Sequence, residues 1–156
     1  MYSTAITHAA NPDVNALIAE LDRYQEALYP EESNHLLDLS QLPSEQLIVM
    51  LIRKGEEAVG CGAIVLGDAG QGEMKRVFIN PTHRGQRLGE KLLAELESAA
   101  WQRGCRMLQL ETGIHQHAAI CLYQRCGYEV CDAFAPYQPD PLSVFRMKPL
   151  VHPVMQ

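Results

Sequence analysis

Apolar positions along the chain change period several times, and each change marks an element. Val14, Leu17, Ile18, Leu21 and Leu28 recur at helical spacing. Asn11-Pro12-Asp13 precedes them and reads as an N-cap, a proline at the first helical position and an acid in the first turn. A helix to about Leu28 is therefore expected, with Tyr29-Pro30 ending it. Residues 2 to 8 read as a short strand, and residues 31 to 42 as irregular chain with at most one helical turn. Two apolar runs, 47 to 52 and 58 to 66, flank Lys54-Gly55-Glu56 and read as a hairpin of buried strands. A glycine-rich turn leads to a strand over 73 to 79, which Pro81 breaks. Leu88, Leu92, Leu93, Leu96, Ala99 and Ala100 then make one face of a helix that Gly104 stops. A strand over 107 to 111, a helix over 115 to 126 stopped by Gly127, and strands over 128 to 131 and 143 to 147 complete the pattern. Prolines punctuate the loop between the last two. The order is that of an α/β fold with a mixed sheet.

The 156 residues are expected to form a single domain, 1–156, large enough for one sizeable core. No apolar run approaches the roughly 20 residues needed to cross a bilayer, and the N-terminus lacks the pattern of a secretory signal. A cytoplasmic protein with no membrane role is the expectation. The net charge of -6 argues against general nucleic-acid binding. Five cysteines, an odd number without Cys-x-x-Cys, read as reduced, buried and structural. Cys121 and Cys126 do not have ligand spacing with His115 and His117, so no metal is expected.

One stretch departs from the acidic background. Lys75, Arg76, Arg84, Arg87 and Lys91 gather around the single acid Glu90. Within it, Arg84-Gly85-Gln86-Arg87-Leu88-Gly89 forms a glycine-bearing loop that opens a helix. Free N–H groups and the helix dipole make such a place suited to phosphate. The loop resembles the pyrophosphate loop of the GNAT N-acetyltransferases, Gln/Arg-x-x-Gly-x-Gly/Ala, with Arg87 where glycine is usual. Farther on, Gln116-x-x-Ala119-x-x-Leu122-Tyr123-x-x-x-Gly127-Tyr128 is similar to the family's Asn-x-x-Ala-x-x-Leu-Tyr-x-x-x-Gly-Phe. Both motifs occur in the family's order. The resemblance covers roughly residues 47 to 131.

The resemblance implies a mostly antiparallel sheet flanked by helices and an acetyl-CoA cosubstrate. The amides of Gly85, Gln86, Arg87, Leu88 and Gly89 would surround the pyrophosphate, with charge from Arg84 or Arg87. At the start of a helix the Arg87 backbone is expected to be ordinary. The pantetheine would lie beside Val77, Phe78 and Ile79, facing Gln116, Ala119 and Tyr123. Tyr123 would protonate the departing thiolate. Glu73 would be the base that deprotonates the amine, with Glu111 as a second candidate. Against these stand a core tyrosine for Tyr123 and, for Glu73, a strand-end acid paired with Lys75 or Arg76. The acceptor walls map onto residues 24 to 42 and 134 to 143, which offer Tyr29, His35 and Tyr137. Arg76, on the alternate face from Glu73 and Lys75, is a candidate for an acceptor carboxylate. The acceptor is expected to be the primary amine of a small molecule or amino acid. A lysine or N-terminal protein acetyltransferase and a non-catalytic acyl-CoA-binding module are the rivals, and a homodimer is compatible with either. A phosphate-loop phosphotransferase is disfavoured, since no Lys-Ser/Thr follows the glycines.

Overall fold

The computed structural model describes residues 1 to 28 and 38 to 152. Its elements in chain order are β1 (Tyr2–Thr7), α1 (Pro12–Leu28), β2 (Leu47–Lys54), β3 (Glu57–Leu66), β4 (Gln71–Ile79), α2 (Leu88–Gln102), β5 (Met107–Gly113), α3 (His117–Arg125), β6 (Glu129–Cys131) and β7 (Ser143–Pro149). These follow the expected order. The start of α1 has the predicted cap: Asn11 Oδ1 accepts from the Asp13 amide at 2.9 Å. Within the predicted irregular segment, residues 39–41 form a single 3-10 turn capped by Asp38. Residues 29 to 37, which include Tyr29 and His35, lie outside the described residues.

Among the described residues, seven strands form one sheet in the order β1-β2-β3-β4-β5-β7-β6. Every pairing is antiparallel except that of β4 with β5. The parallel pairing covers only Gln71–Glu73 against Met107–Gln109. Beyond Glu73 the two strands stop pairing, and the sheet opens as a fork.

Each face of the sheet has its own core. On one, Val14, Leu17 and Leu21 of α1 cluster with Val49, Leu51, Cys61, Ala63 and Phe78. On the other, Leu88, Leu92, Leu93 and Leu96 of α2 cluster with Ile52, Ile64, Met74, Leu108 and Leu110. Leu92, Leu93 and Leu96 have no exposed surface, and each such burial stabilises the fold by roughly 1.5–3 kcal/mol. Gly62 lets α2 approach β3 this closely, because a Cβ there would meet Leu96 Cδ1 at 2.9 Å.

The period of two breaks once, in β4. Cys61 pairs with Phe78 and Ala63 with Lys75, so three steps along β4 match two along β3. The extra residue is a β-bulge, and Arg76 within it has a left-handed φ of 57°. Met74 and Val77 therefore both pack toward α2, while Phe78 packs toward α1. No helix among the described residues is long and apolar enough to cross a membrane.

Candidate active site

The loop after β4 and the start of α2 form one end of a cavity of about 370 Å³. Its walls include Val77, Phe78 and Ile79 from β4, and Arg84, Gly85, Arg87, Leu88 and Gly89 from the loop and helix. Gln116 and Ala119 face them from the start of α3, and Leu21 and Tyr24 close the side nearest α1. Ten of the predicted donor-site residues thus share one cavity. Gln86 is exposed and Tyr123 lies beyond the cavity wall.

Backbone conformation gives the loop its character. Gly85 has φ 85° and open space where a side chain would stand. Arg87, at the N-cap of α2, has φ 61° and makes no side-chain cap. The expectation of an ordinary backbone at Arg87 was wrong. The position is left-handed, which explains why glycine is usual there: a side chain at such φ costs roughly 1–2 kcal/mol. Arg87→Gly is expected to raise thermal stability by about 2–8 °C, at the loss of one cation beside the cavity. Parallel melting curves with and without ligand would separate those effects, and no gain in the ligand-free melt would refute the strain. Arg84 folds back, donating from Nε to the Ile79 carbonyl at 3.0 Å with its guanidinium near the Phe78 ring. It thereby fixes the end of β4 against the loop.

Two motif residues have structural tasks that spacing does not reveal. A Cβ on Gly89 would meet Leu122 Cδ2 at 2.9 Å, so glycine there lets α2 pack on α3. Gln116 Oε1 accepts from the Gly113 amide at 2.8 Å and from Thr112 Oγ1 at 3.4 Å. It ties the end of β5 to the start of α3, and the helix begins two residues later than expected.

The catalytic candidates stand around the fork. Leu108 and Leu110 point into the α2 core, so Glu111, on β5 beside the fork, faces the α1 side, as Glu73 and Lys75 do on β4. Ser143 Oγ donates to Glu111 Oε2 at 2.7 Å. Glu73 Oε2 accepts from the Tyr137 hydroxyl at 2.5 Å and pairs with Lys75 Nζ at 3.0 Å. Lys75 Nζ also donates to the Tyr137 oxygen at 2.6 Å. Tyr123 is 7% exposed on α3 and sits edge-on to Tyr128. Burial, above all, raises the proton affinity of its phenol, and the nearby Cys126 and Glu111 add to this.

One acceptor-side candidate sits differently from expectation. Because of the bulge, Arg76 turns toward α1, where its Nε meets Asp22 Oδ1 at 3.5 Å. It joins β4 to α1, and the alternation that placed it opposite Glu73 and Lys75 does not hold through the bulge. Tyr137, on the loop expected to wall the acceptor side, bonds Glu73 and Lys75 through its hydroxyl. The sequence reading missed His83, which lines the cavity and contacts Tyr2 and Glu57. No local signal marks it, since both partners come from distant strands. Not all cysteines are buried: Cys61 and Cys105 are, whereas Cys121 is exposed. Burial pushes the Cys61 thiol up to about 12, which leaves it protonated and unreactive at neutral pH.

Comparison with known proteins agrees with the fold. Over 135 residues the chain is 47% identical to the IAA acetyltransferase of Azospirillum brasilense, covering 86% of this chain and 88% of that one. A crystal structure from Klebsiella pneumoniae, described as an acyl-CoA N-acyltransferase, is 58% identical with a TM-score of 0.88, covering 97% and 99% of the two chains. A Thermoplasma acidophilum PaiA N-acetyltransferase, solved in complex with coenzyme A, shares the fold at 16% identity and a TM-score of 0.72, over 96% and 99%. Residues 14–128 match the model of the acetyltransferase (GNAT) family, and the chain belongs to that family as an N-acetyltransferase.

Proposed function

We propose that the enzyme moves an acetyl group directly from acetyl-CoA to the primary amine of a small molecule. The observation that carries this reading is the course of β4. It runs from an anion-suited loop, past a cavity, to a fork bounded by carboxylates. Gly85 leaves the loop open, and the first amides of α2 point outward from a helix start, so the residues present suit a pyrophosphate. Acetyl-CoA supplies an activated acyl carbon.

The acceptor amine arrives mostly as ammonium and must lose a proton. Glu111 is the better placed of the two carboxylates to take it, directly or through water. Its Oε2 accepts from a neutral hydroxyl, whereas one oxygen of Glu73 already serves a phenol and a lysine. Glu73 then contributes negative charge near the amine. The new C–N bond forms as the C–S bond breaks, and the Tyr123 phenol gives its proton to the thiolate. Burial keeps that phenol protonated at neutral pH. Direct transfer is favoured over an acetyl-enzyme because the thiol beside Tyr123, that of Cys126, is held protonated by burial above all.

A panel of small amines, amino acids, polyamines and lysine peptides, each with acetyl-CoA and with release of free thiol as the signal, tests the reading. Turnover of at least one small amine is expected, together with a rise in melting temperature in acetyl-CoA. A thermal shift without turnover of any amine would favour a non-catalytic binding module. Absence of a shift at millimolar acetyl-CoA would refute the donor assignment.

A further inference from the structure

We propose that Tyr137 is the acceptor-size determinant of this enzyme, a crossbar over the fork that admits a small amine and excludes a polypeptide chain. The inference rests on reading the fork as the acceptor site. Tyr137 lies on the loop between β6 and β7, where a turn holds it through a hydrogen bond from its backbone N–H to the Phe134 carbonyl at 2.8 Å. Its ring packs against Phe134 at 5.3 Å and against Phe145 of β7 at 5.7 Å between centroids. Its hydroxyl, however, is bound on β4, by Glu73 and Lys75. In the sheet β5 lies between β7 and β4. Two strand spacings amount to about 10 Å, and more where a sheet splays. The side chain therefore crosses above β5 on the face that carries Glu73, Lys75, Glu111 and Phe145.

The crossing is held firmly. The hydroxyl, the carboxylate and the ammonium each contact the other two, at 2.5 to 3.0 Å. The Lys75 side chain is only 8% exposed and that of Glu73 17%. Lys75 Nζ also lies 5.3 Å from the Tyr137 ring centroid. Lifting the loop to seat an extended chain would strip a phenol from a largely buried ion pair, which is costly. A short amine reaching toward Glu111 leaves that arrangement intact. The Tyr137 phenol is held protonated by burial first, then by its bond to Glu73 and the charges of Glu73 and Glu111, so the donor in the crossbar persists through neutral pH.

The test uses two bisubstrate probes. In one, CoA is joined through an S-acetyl bridge to ethylamine. In the other, the same bridge leads to the side-chain nitrogen of lysine within a short peptide. Calorimetry reads their binding to the wild type, Tyr137→Phe and Tyr137→Ala, with melting curves to confirm folding. The wild type should bind the small conjugate about tenfold tighter than the peptide conjugate. Tyr137→Ala should shrink that ratio to about threefold or less, and Tyr137→Phe, which keeps the ring but loses both polar contacts, should fall between. Full wild-type discrimination in Tyr137→Ala would overturn the crossbar alone, provided both conjugates bind better than CoA. If neither conjugate improves on CoA in the wild type, the fork is not the acceptor site, and both readings fall.

Discussion

Replacing Tyr123 with phenylalanine should lower kcat by roughly tenfold to a thousandfold while leaving the affinity for acetyl-CoA nearly unchanged. The variant removes one oxygen from a ring that is 7% exposed and otherwise packed among apolar neighbours, so the fold should tolerate it. If the phenol acts only on the departing thiolate, its loss is felt in the transition state and not in donor binding. The pH dependence sharpens the expectation. Burial raises the proton affinity of this phenol, so the folded enzyme keeps the proton to higher pH than a free tyrosine does. Rate loss from its ionisation should therefore be absent below about pH 10. Stopped assays of thiol release across pH 6 to 10, on both forms, would check this. Wild-type kcat in Tyr123→Phe would assign the protonation of the thiolate to solvent.

Local chemistry was legible in the sequence, and long-range chemistry was not. The start of α1 follows from Asn11, Pro12 and Asp13, which act within one turn of each other. The hairpin of β2 and β3 follows from two apolar runs and a glycine. The phosphate-suited loop follows from Gly85 and the helix behind it. The bulge in β4 gave no such sign, because its left-handed residue is an arginine rather than a glycine. That single insertion turned Arg76 from the face expected opposite Glu73 and Lys75 toward Asp22 of α1. The reasons for Gly89 and Gln116 were equally hidden. Gly89 answers to Leu122, and Gln116 to the end of the preceding strand. Both would pass for ligand residues in a motif, yet each first brings together the elements that wall the cavity.

The same distinction separates the two carboxylates at the fork. As residue types Glu73 and Glu111 were equivalent candidates. Their partners differ because Tyr137 is 64 positions from Glu73 in the chain, and Ser143 is 32 from Glu111. One carboxylate is built into a three-way contact with a phenol and a cation, and the other accepts from the Ser143 hydroxyl. Division of labour between like groups arises from such surroundings and not from the groups themselves.

The largest effect on stability is expected at Glu97, a core carboxylate remote from the fork. Glu97 is 3% exposed on α2. It accepts from the Tyr128 hydroxyl at 2.9 Å and from Lys148 Nζ at 2.9 Å. Tyr128, where the resembled motif has phenylalanine, is 1% exposed, so its hydroxyl needs an acceptor inside the core. Glu97 supplies the acceptor, and Lys148 from β7 supplies the countercharge. Arg146 from the same strand donates to the Tyr128 carbonyl at 2.7 Å, which ties down the backbone that carries the phenol. Glu97→Ala strands the phenol and the ammonium and leaves a cavity. The Lys148 side chain is 24% exposed and can partly reach water, which lowers the cost toward the bottom of the usual range. A loss of about 3 kcal/mol is expected, and with it a fall of roughly 6–12 °C in Tm. Glu97→Leu combined with Tyr128→Phe removes donor and acceptor together, and should recover most of that loss. Urea titrations of the two variants against the wild type decide the matter. A loss below about 1 kcal/mol in Glu97→Ala would mean that water replaces the carboxylate and that the core pair adds little to the fold.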